Sequence, residues 1–190
     1  DGSFSLNNAK IRFDTEEAKY GAEYFSFKLK EKQNVDISFS QKEGKITFVK
    51  TSAFNDGFEI NITEDECIVI SGTKLGFLYA SDVLLKLSDG KAFKCVHIED
   101  KPFMDFRGVH LALPERKNIS FFKKLIKELI IPMRYNAVFL QFSGAMQYEC
   151  FPEISKNWEK SCQEYEKGNV LRPAHYEFVG HDSLTKDEVR

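Results

Sequence analysis

The stretch FRGVHLALPERKNISFFKKLIKELIIPMRYNAVFLQF, residues 106–142, decides the fold class. Phe106 to Leu113 is largely apolar across both alternations and Ala137 to Phe142 is another near-continuous apolar run, so each reads as a strand covered on both faces. Between them Phe122, Leu125, Ile126, Leu129 and Ile130 fall on one stripe of a helix running from Ile119 to about Ile131. Pro132 withholds an amide and helps to stop that helix before the second strand. Strand, helix and strand in this order predict a parallel βαβ unit with a right-handed crossover.

Upstream the period changes. Ala18, Ala22, Phe25 and Leu29 recur at helical spacing and predict a helix over 15–31, with Asp14 or Thr15 as its cap. Val35, Ile37 and Phe39, then Ile46 and Phe48, then Phe58, Ile60 and Ile62 alternate with polar residues as half-buried strands do. Cys67 to Ile70 follows the acidic turn Glu64-Asp65-Glu66, so the last two strands should form a hairpin and the whole an antiparallel meander. A second helix from about Leu75 to Leu87 puts Phe77, Ala80, Leu84 and Leu87 on one side and turns Asp82 and Lys86 away. The expected fold is α/β: residues 1–101 form a two-layer sandwich of antiparallel sheet with two helices, and 102–190 begin a second domain. From Gly144 no period is readable until Thr185-Lys186-Asp187-Glu188, a capping-box pattern that opens a helix as the sequence ends. If the βαβ unit starts a (β/α)8 barrel, which takes roughly 250 residues, residues 102–190 are a truncated beginning of it.

Composition excludes several classes. The 190 residues are 42% hydrophobic, enough for a core, and 27 Lys+Arg against 29 Asp+Glu give a net charge of −2. The two parts carry −3 and +1, without the basic excess of a nucleic-acid binder. No apolar run approaches the roughly 18 residues of a membrane helix. The cysteines at 67, 95, 150 and 162 form no Cys-x-x-Cys pair, and although His175 and His181 have zinc-finger spacing, Cys150 and Cys162 are too far apart for a zinc knuckle. Buried thiols and surface histidines are expected there instead, with no metal and no cofactor. The sequons at Asn61 and Asn118 are short enough to arise by chance.

Four fragments stand in a telling order. They are Gly57-Phe58-Glu59-Ile60 to Thr63-Glu64-Asp65, Gly76-Phe77-Leu78-Tyr79 leading a Leu-rich helix, Val96-His97-Ile98-Glu99-Asp100-Lys101-Pro102, and Phe106-Arg107-Gly108-Val109. This series resembles glycoside hydrolase family 20, the β-N-acetylhexosaminidases, from about Asp56 to Phe142 and more weakly to Arg190. The resemblance implies an N-terminal α/β domain, a connection through Ile98, Asp100, Pro102 and Arg107-Gly108, and then a catalytic (β/α)8 barrel. It further implies hydrolysis of terminal N-acetylhexosamine by substrate assistance, in which the 2-acetamido carbonyl attacks C1, an Asp orients that group and an adjacent Glu protonates the leaving oxygen. That Asp-Glu pair follows the fourth barrel strand, whereas this sequence reaches the second. Glu99-Asp100, in the linker, and Asp187-Glu188, opening a helix, read as solvated charges, so no catalytic residue is assigned within the chain.

Barrel chemistry sits at the C-terminal ends of strands, here after Leu113 and after Phe142. In the resemblance Arg116 stands where family members carry an Arg that binds sugar hydroxyls, a task suited to the planar guanidinium fork, although Lys117 replaces the usual following His. After the second strand, Gln141-Phe142-Ser143-Gly144-Ala145-Met146-Gln147-Tyr148-Glu149 departs from the family's Asp-containing loop. Glu149, and less so Gln141, are the substrate hydrogen-bonding candidates, with Tyr148 or Trp158 as stacking surfaces. His110, inside the first strand, reads as a core histidine. The implied partner is a glycan, in a secreted or cell-surface setting; a chain cut after two barrel strands should also either self-associate through residues 106–142 or show weak order from about Gly144 onward. The other reading is a non-catalytic carbohydrate-binding or scaffold module, a pseudo-enzyme, because the catalytic pair is absent here.

Overall fold

The computed structural model describes residues 2–190. It is a mixed α/β chain that divides into two compact units, 1–105 and 106–190.

The first unit is a six-stranded sheet with two helices packed on one of its faces. Its strands are β2 (Lys10–Phe13), β3 (Ser38–Phe39), β4 (Ile46–Lys50), β5 (Phe58–Ile62), β6 (Cys67–Ser71) and β8 (Val96–Asp100), in the order β3-β2-β4-β6-β5-β8. A short pair, β1 (Ser3–Ser5) with β7 (Ala92–Lys94), stands apart from it. The expected hairpin of β5 and β6 is antiparallel, with Ile60 opposite Val69. The all-antiparallel sheet, however, is corrected to a mixed one: β3, β2, β4 and β6 run parallel, and only β5 reverses, antiparallel to both β6 and β8. The reason is β2, which carries Ile11 and Phe13 as its whole apolar signal and takes the chain into a helix that returns it beside β4 in the same direction. Of Val35 to Phe39 only the last two residues join the sheet. Glu99-Asp100 is not linker but the end of edge strand β8, opposite Glu59 and Phe58.

The two helices are as legible as their stripes. α1 (Glu16–Gln33) is capped by Thr15, whose hydroxyl accepts from Ala18 N at 3.3 Å, and ends at Asn34 in the left-handed region. α2 (Lys74–Leu87) is capped by Thr73. Ala18, Ala22, Phe25 and Leu29 meet Phe77, Ala80 and Leu84 over Phe48, Phe58 and Ile60, all fully buried in one core. Rings of Phe25, Phe48, Phe77 and Phe93 stand 6.1–6.3 Å apart in tilted pairs. Gly21 permits the close approach: a Cβ there would fall 2.5 Å from Phe77 Cβ, and Ser81 Oγ donates to the Gly21 carbonyl at 3.1 Å. Asp82 does not face away but accepts from Tyr24 Oη at 3.1 Å, and burial with that carboxylate pushes the phenol pKa up.

In the second unit β9 (Gly108–Ala112) and β10 (Ala137–Gln141) pair in parallel across the intervening helix. That helix is α3 (Ile119–Leu125), which widens into a π-helical turn at Ile126–Ile130. Its stripe is less covered than its periodicity implies: Ile130 is buried, whereas Phe122, Leu125 and Ile126 are half-buried and Leu129 is exposed. The strands, expected to be covered on both faces, leave Val138 and Phe139 exposed because within this unit each has a single neighbour. The region without readable period holds a full helix, α4 (Pro152–Glu166), started by Pro152 in the first turn. α5 (Lys186–Val189) carries the capping box expected at Thr185 and Glu188.

Candidate functional site

Parallel pairing in register, Gly108 with Ala137 through Ala112 with Gln141, brings the strand ends out side by side. Leu113 N donates to the Gln141 carbonyl at 3.0 Å, and the loops that follow carry Glu115 to Asn118 and Ser143 to Phe151. A returning segment crosses both: Gly180 N donates to Leu113 O at 2.8 Å, Leu184 N to Ala145 O at 2.8 Å, and Gln147 N to Leu184 O at 2.8 Å. Leu113, Ala145, Val179 and Leu184 form a small buried core beneath these contacts. The approach is tight at Gly144, where a Cβ would fall 2.1 Å from Trp158 Cβ.

Arg116 is the hub of the site. Its backbone N–H donates to Asp182 Oδ1 at 3.0 Å, Nε to Glu188 Oε1 at 2.7 Å, Nη1 to Asp182 Oδ2 at 3.1 Å, and Nη2 to the Ser183 carbonyl at 2.8 Å and to Glu188 Oε2 at 3.2 Å. The guanidinium, and next the Thr185 N–H at 2.7 Å, hold the Glu188 carboxyl down to a pKa of about 2. Glu188 in turn raises the Arg116 pKa. The fork is thus locked in plane with its side chain 47% exposed, and Nη1, with one acceptor among the described residues and two hydrogens, can still donate outward. Beside it Glu115 pairs with Lys117 at 2.6 Å, which raises the lysine pKa.

Glu149 is exposed, and its nearest cation is Lys186 Nζ at 4.0 Å. Arg116 and Glu149 therefore do not touch, but both reach the first turn of α5, through Glu188 and Lys186. Gln141 Nε2 donates to Ser143 Oγ at 3.4 Å, and Tyr148 Oη to the Ser143 carbonyl at 3.0 Å. Trp158 packs on Gly144 and donates from Nε1 to Gly180 O at 2.8 Å, which makes it a wall of the core rather than a stacking platform. His110 is exposed on β9 and is not a core histidine. Cys162 is buried, which pushes its thiol up to about 11 and leaves it an unreactive thiol, while Cys150 is exposed. His181 stacks on Tyr176 with ring centroids 3.9 Å apart. Among the described residues no group of three His, Cys, Asp or Glu side chains is placed to hold a metal ion.

Asp182, Ser183 and Glu159 were not legible in the sequence. Glu159 Oε1 accepts from Ser183 N at 2.8 Å and Ser183 Oγ at 2.5 Å, which orients the Ser183 carbonyl for Arg116. Only Glu188 carried a local signal, as the last residue of the capping box.

No family profile and no curated protein sequence matches the chain. Solved structures do. A GH20 exo-β-N-acetylglucosaminidase from Vibrio harveyi, in complex with N-acetylglucosamine, is 19% identical with a TM-score of 0.69 over 82% of this chain and 26% of its own. A β-N-acetylhexosaminidase from Bacteroides fragilis is 20% identical with a TM-score of 0.71, covering 100% of this chain and 38% of its own. The Streptomyces plicatus N-acetyl-β-hexosaminidase in complex with Thio-NAglucal is 14% identical with a TM-score of 0.72, covering 98% and 39%. The chain spans about a quarter to two fifths of the length of these proteins. At such identities the likeness is one of fold, and the fold of this chain resembles that of the corresponding part of the GH20 β-N-acetylhexosaminidases.

Proposed function

We propose that this chain is the N-terminal part of a glycosidase of the β-N-acetylhexosaminidase type, which removes terminal N-acetylhexosamine from glycans by substrate-assisted, retaining hydrolysis. In this reading residues 1–101 are a non-catalytic α/β sandwich domain and 102–190 are the first βα units of a (β/α)8 barrel. The observation that carries it is the parallel β9–β10 pair, whose adjoining C-terminal ends present Arg116, together with the fold likeness to GH20 hexosaminidases. Arg116 serves as a sugar ligand. Its plane is fixed by Glu188 and Asp182, so its outward Nη1–H meets a sugar hydroxyl without first paying the entropy of ordering a long side chain. Glu149 supplies an acceptor from the neighbouring loop. The acid and the acetamido-orienting Asp belong to a later barrel strand.

Titration of the 190-residue chain with N-acetylglucosamine, followed by amide NMR shifts, tests the reading. Shifts centred on residues 113–117 that vanish in Arg116→Ala are expected, and an unchanged response in that variant overturns Arg116 as ligand. The non-catalytic module has one observation in its favour, that carboxylates already occupy most of the guanidinium. A longer protein that binds the sugar and never hydrolyses its glycosides would establish it.

A further inference from the structure

We propose that His181 is a pH-sensitive clasp: protonated, it ties the loop after β9 to the last turn of α4 and to the returning segment, and on losing its proton it releases them. The proposal stands on the geometry around the ring and does not depend on Arg116 binding a sugar.

His181 Nε2 lies 2.7 Å from the Tyr176 carbonyl, which can only accept, so Nε2 carries a hydrogen in either charge state. Nδ1 stands 3.5 Å from Glu115 Oε1 and 3.4 Å from Glu166 Oε1, within ion-pair reach of both carboxylates. A neutral ring therefore turns the Nδ1 lone pair toward those oxygens, whereas the imidazolium offers them an N–H and a positive charge. The ring also lies on the face of Tyr176, with centroids 3.9 Å apart, and beside the C-terminal turn of α4, and both surroundings favour a cation.

The charges facing the ring have the same sense. Glu115 is matched by Lys117 at 2.6 Å, and Asp182 by the Arg116 N–H at 3.0 Å. Glu166 has only the neutral Tyr176 hydroxyl, which donates to it at 3.0 Å, besides His181 among the described residues. Glu159 and Glu188, bound by Ser183 and Arg116, add to the negative side, while Glu177 is paired with Arg172 and Cys162 is a buried thiol. A proton on Nδ1 answers that excess. Residues 115–116 and 181–182 are joined pair by pair, His181 to Glu115 and Asp182 to Arg116, so opening the first pair loosens the second. The position of the loop after β9 thereby becomes sensitive to acidity.

Amide hydrogen exchange of the 190-residue chain at about pH 5 and about pH 8, corrected for the intrinsic pH dependence of exchange, tests the clasp. Protection over 115–118 and 175–182 is expected to fall roughly fivefold to tenfold at the higher pH, the effect of losing two partly exposed charge pairs, while β4 and β6 stay unchanged. His181→Gln, which can keep the bond to Tyr176 but carries no charge, should show the lower protection at both pH values. Glu166→Gln, which leaves the ring in place and removes one of its carboxylates, should shrink the response. Nitrogen NMR shifts of the neutral ring in the unaltered chain should place its hydrogen on Nε2. Equal protection at both pH values in the unaltered chain overturns the clasp. So does a pH response that survives in His181→Gln or is undiminished in Glu166→Gln, or a neutral ring with its hydrogen on Nδ1.

Discussion

Arg116 Nε donates to Glu188 Oε1 at 2.7 Å across 72 positions of sequence, tying the loop after β9 to the first turn of α5. The same carboxylate accepts from Thr185 N, so one acidic side chain both caps a helix and orients the arginine.

The first consequence is a pH dependence. Glu188 is held at a pKa of about 2 against an ordinary 4.5, so its contribution is fully present above 4.5 and is lost as the pH falls toward 2. NMR titration of the Glu188 carboxyl should find a midpoint near 2, moving up toward 4.5 in Arg116→Ala. A midpoint near 4.5 in the unaltered chain would show that the ion pair does not form in solution.

Leu84 is fully buried between the helices and Lys86 is exposed. Leu84→Ala should cost about 2–5 kcal/mol in urea unfolding and Lys86→Ala less than about 0.5. Equal costs would mean that α2 presents a different face.

Gly21→Ala sets two effects against each other. Helix propensity gains up to about 1 kcal/mol, but the new methyl falls 2.5 Å from Phe77 Cβ, and overpacking costs about 1–3 kcal/mol. Net destabilisation is expected, read from the urea midpoint; a more stable variant would show that α1 and α2 are not this close.

The exposed Val138 and Phe139 on β10, with Phe106 and Phe121 nearby in sequence, predict self-association of the 190-residue chain. Light scattering should show oligomers that Phe139→Lys disperses. A compact monomer at high concentration would contradict this.

What was legible in the sequence is what is local. Phe58, Ile60 and Ile62 announce β5 by their period of two, and the stripes of α1 and α2 announce those helices with their caps. Strand direction is not local: β2 beside β4 depends on a crossover around α1, and four residues with one buried apolar side chain give too little period to reveal it. α4 escaped because its inward side sets a single large apolar residue, Trp158, among the small or polar Ser155, Glu159 and Cys162, which gives no readable stripe. At the candidate site Arg116 was singled out through resemblance, but the partners the structure gives it, Asp182 and Glu188, lie 66 and 72 residues away and no spacing rule reaches them.

The most direct measurement is turnover of a chromogenic N-acetylglucosaminide by a protein carrying these residues together with the rest of the barrel, set beside the 190-residue chain alone. Turnover by the longer protein, blocked by a thiazoline inhibitor that mimics the substrate-assisted intermediate, is expected, with the 190 residues at background even at high concentration. A longer protein without turnover, or hydrolysis by the 190 residues themselves, would contradict the assignment.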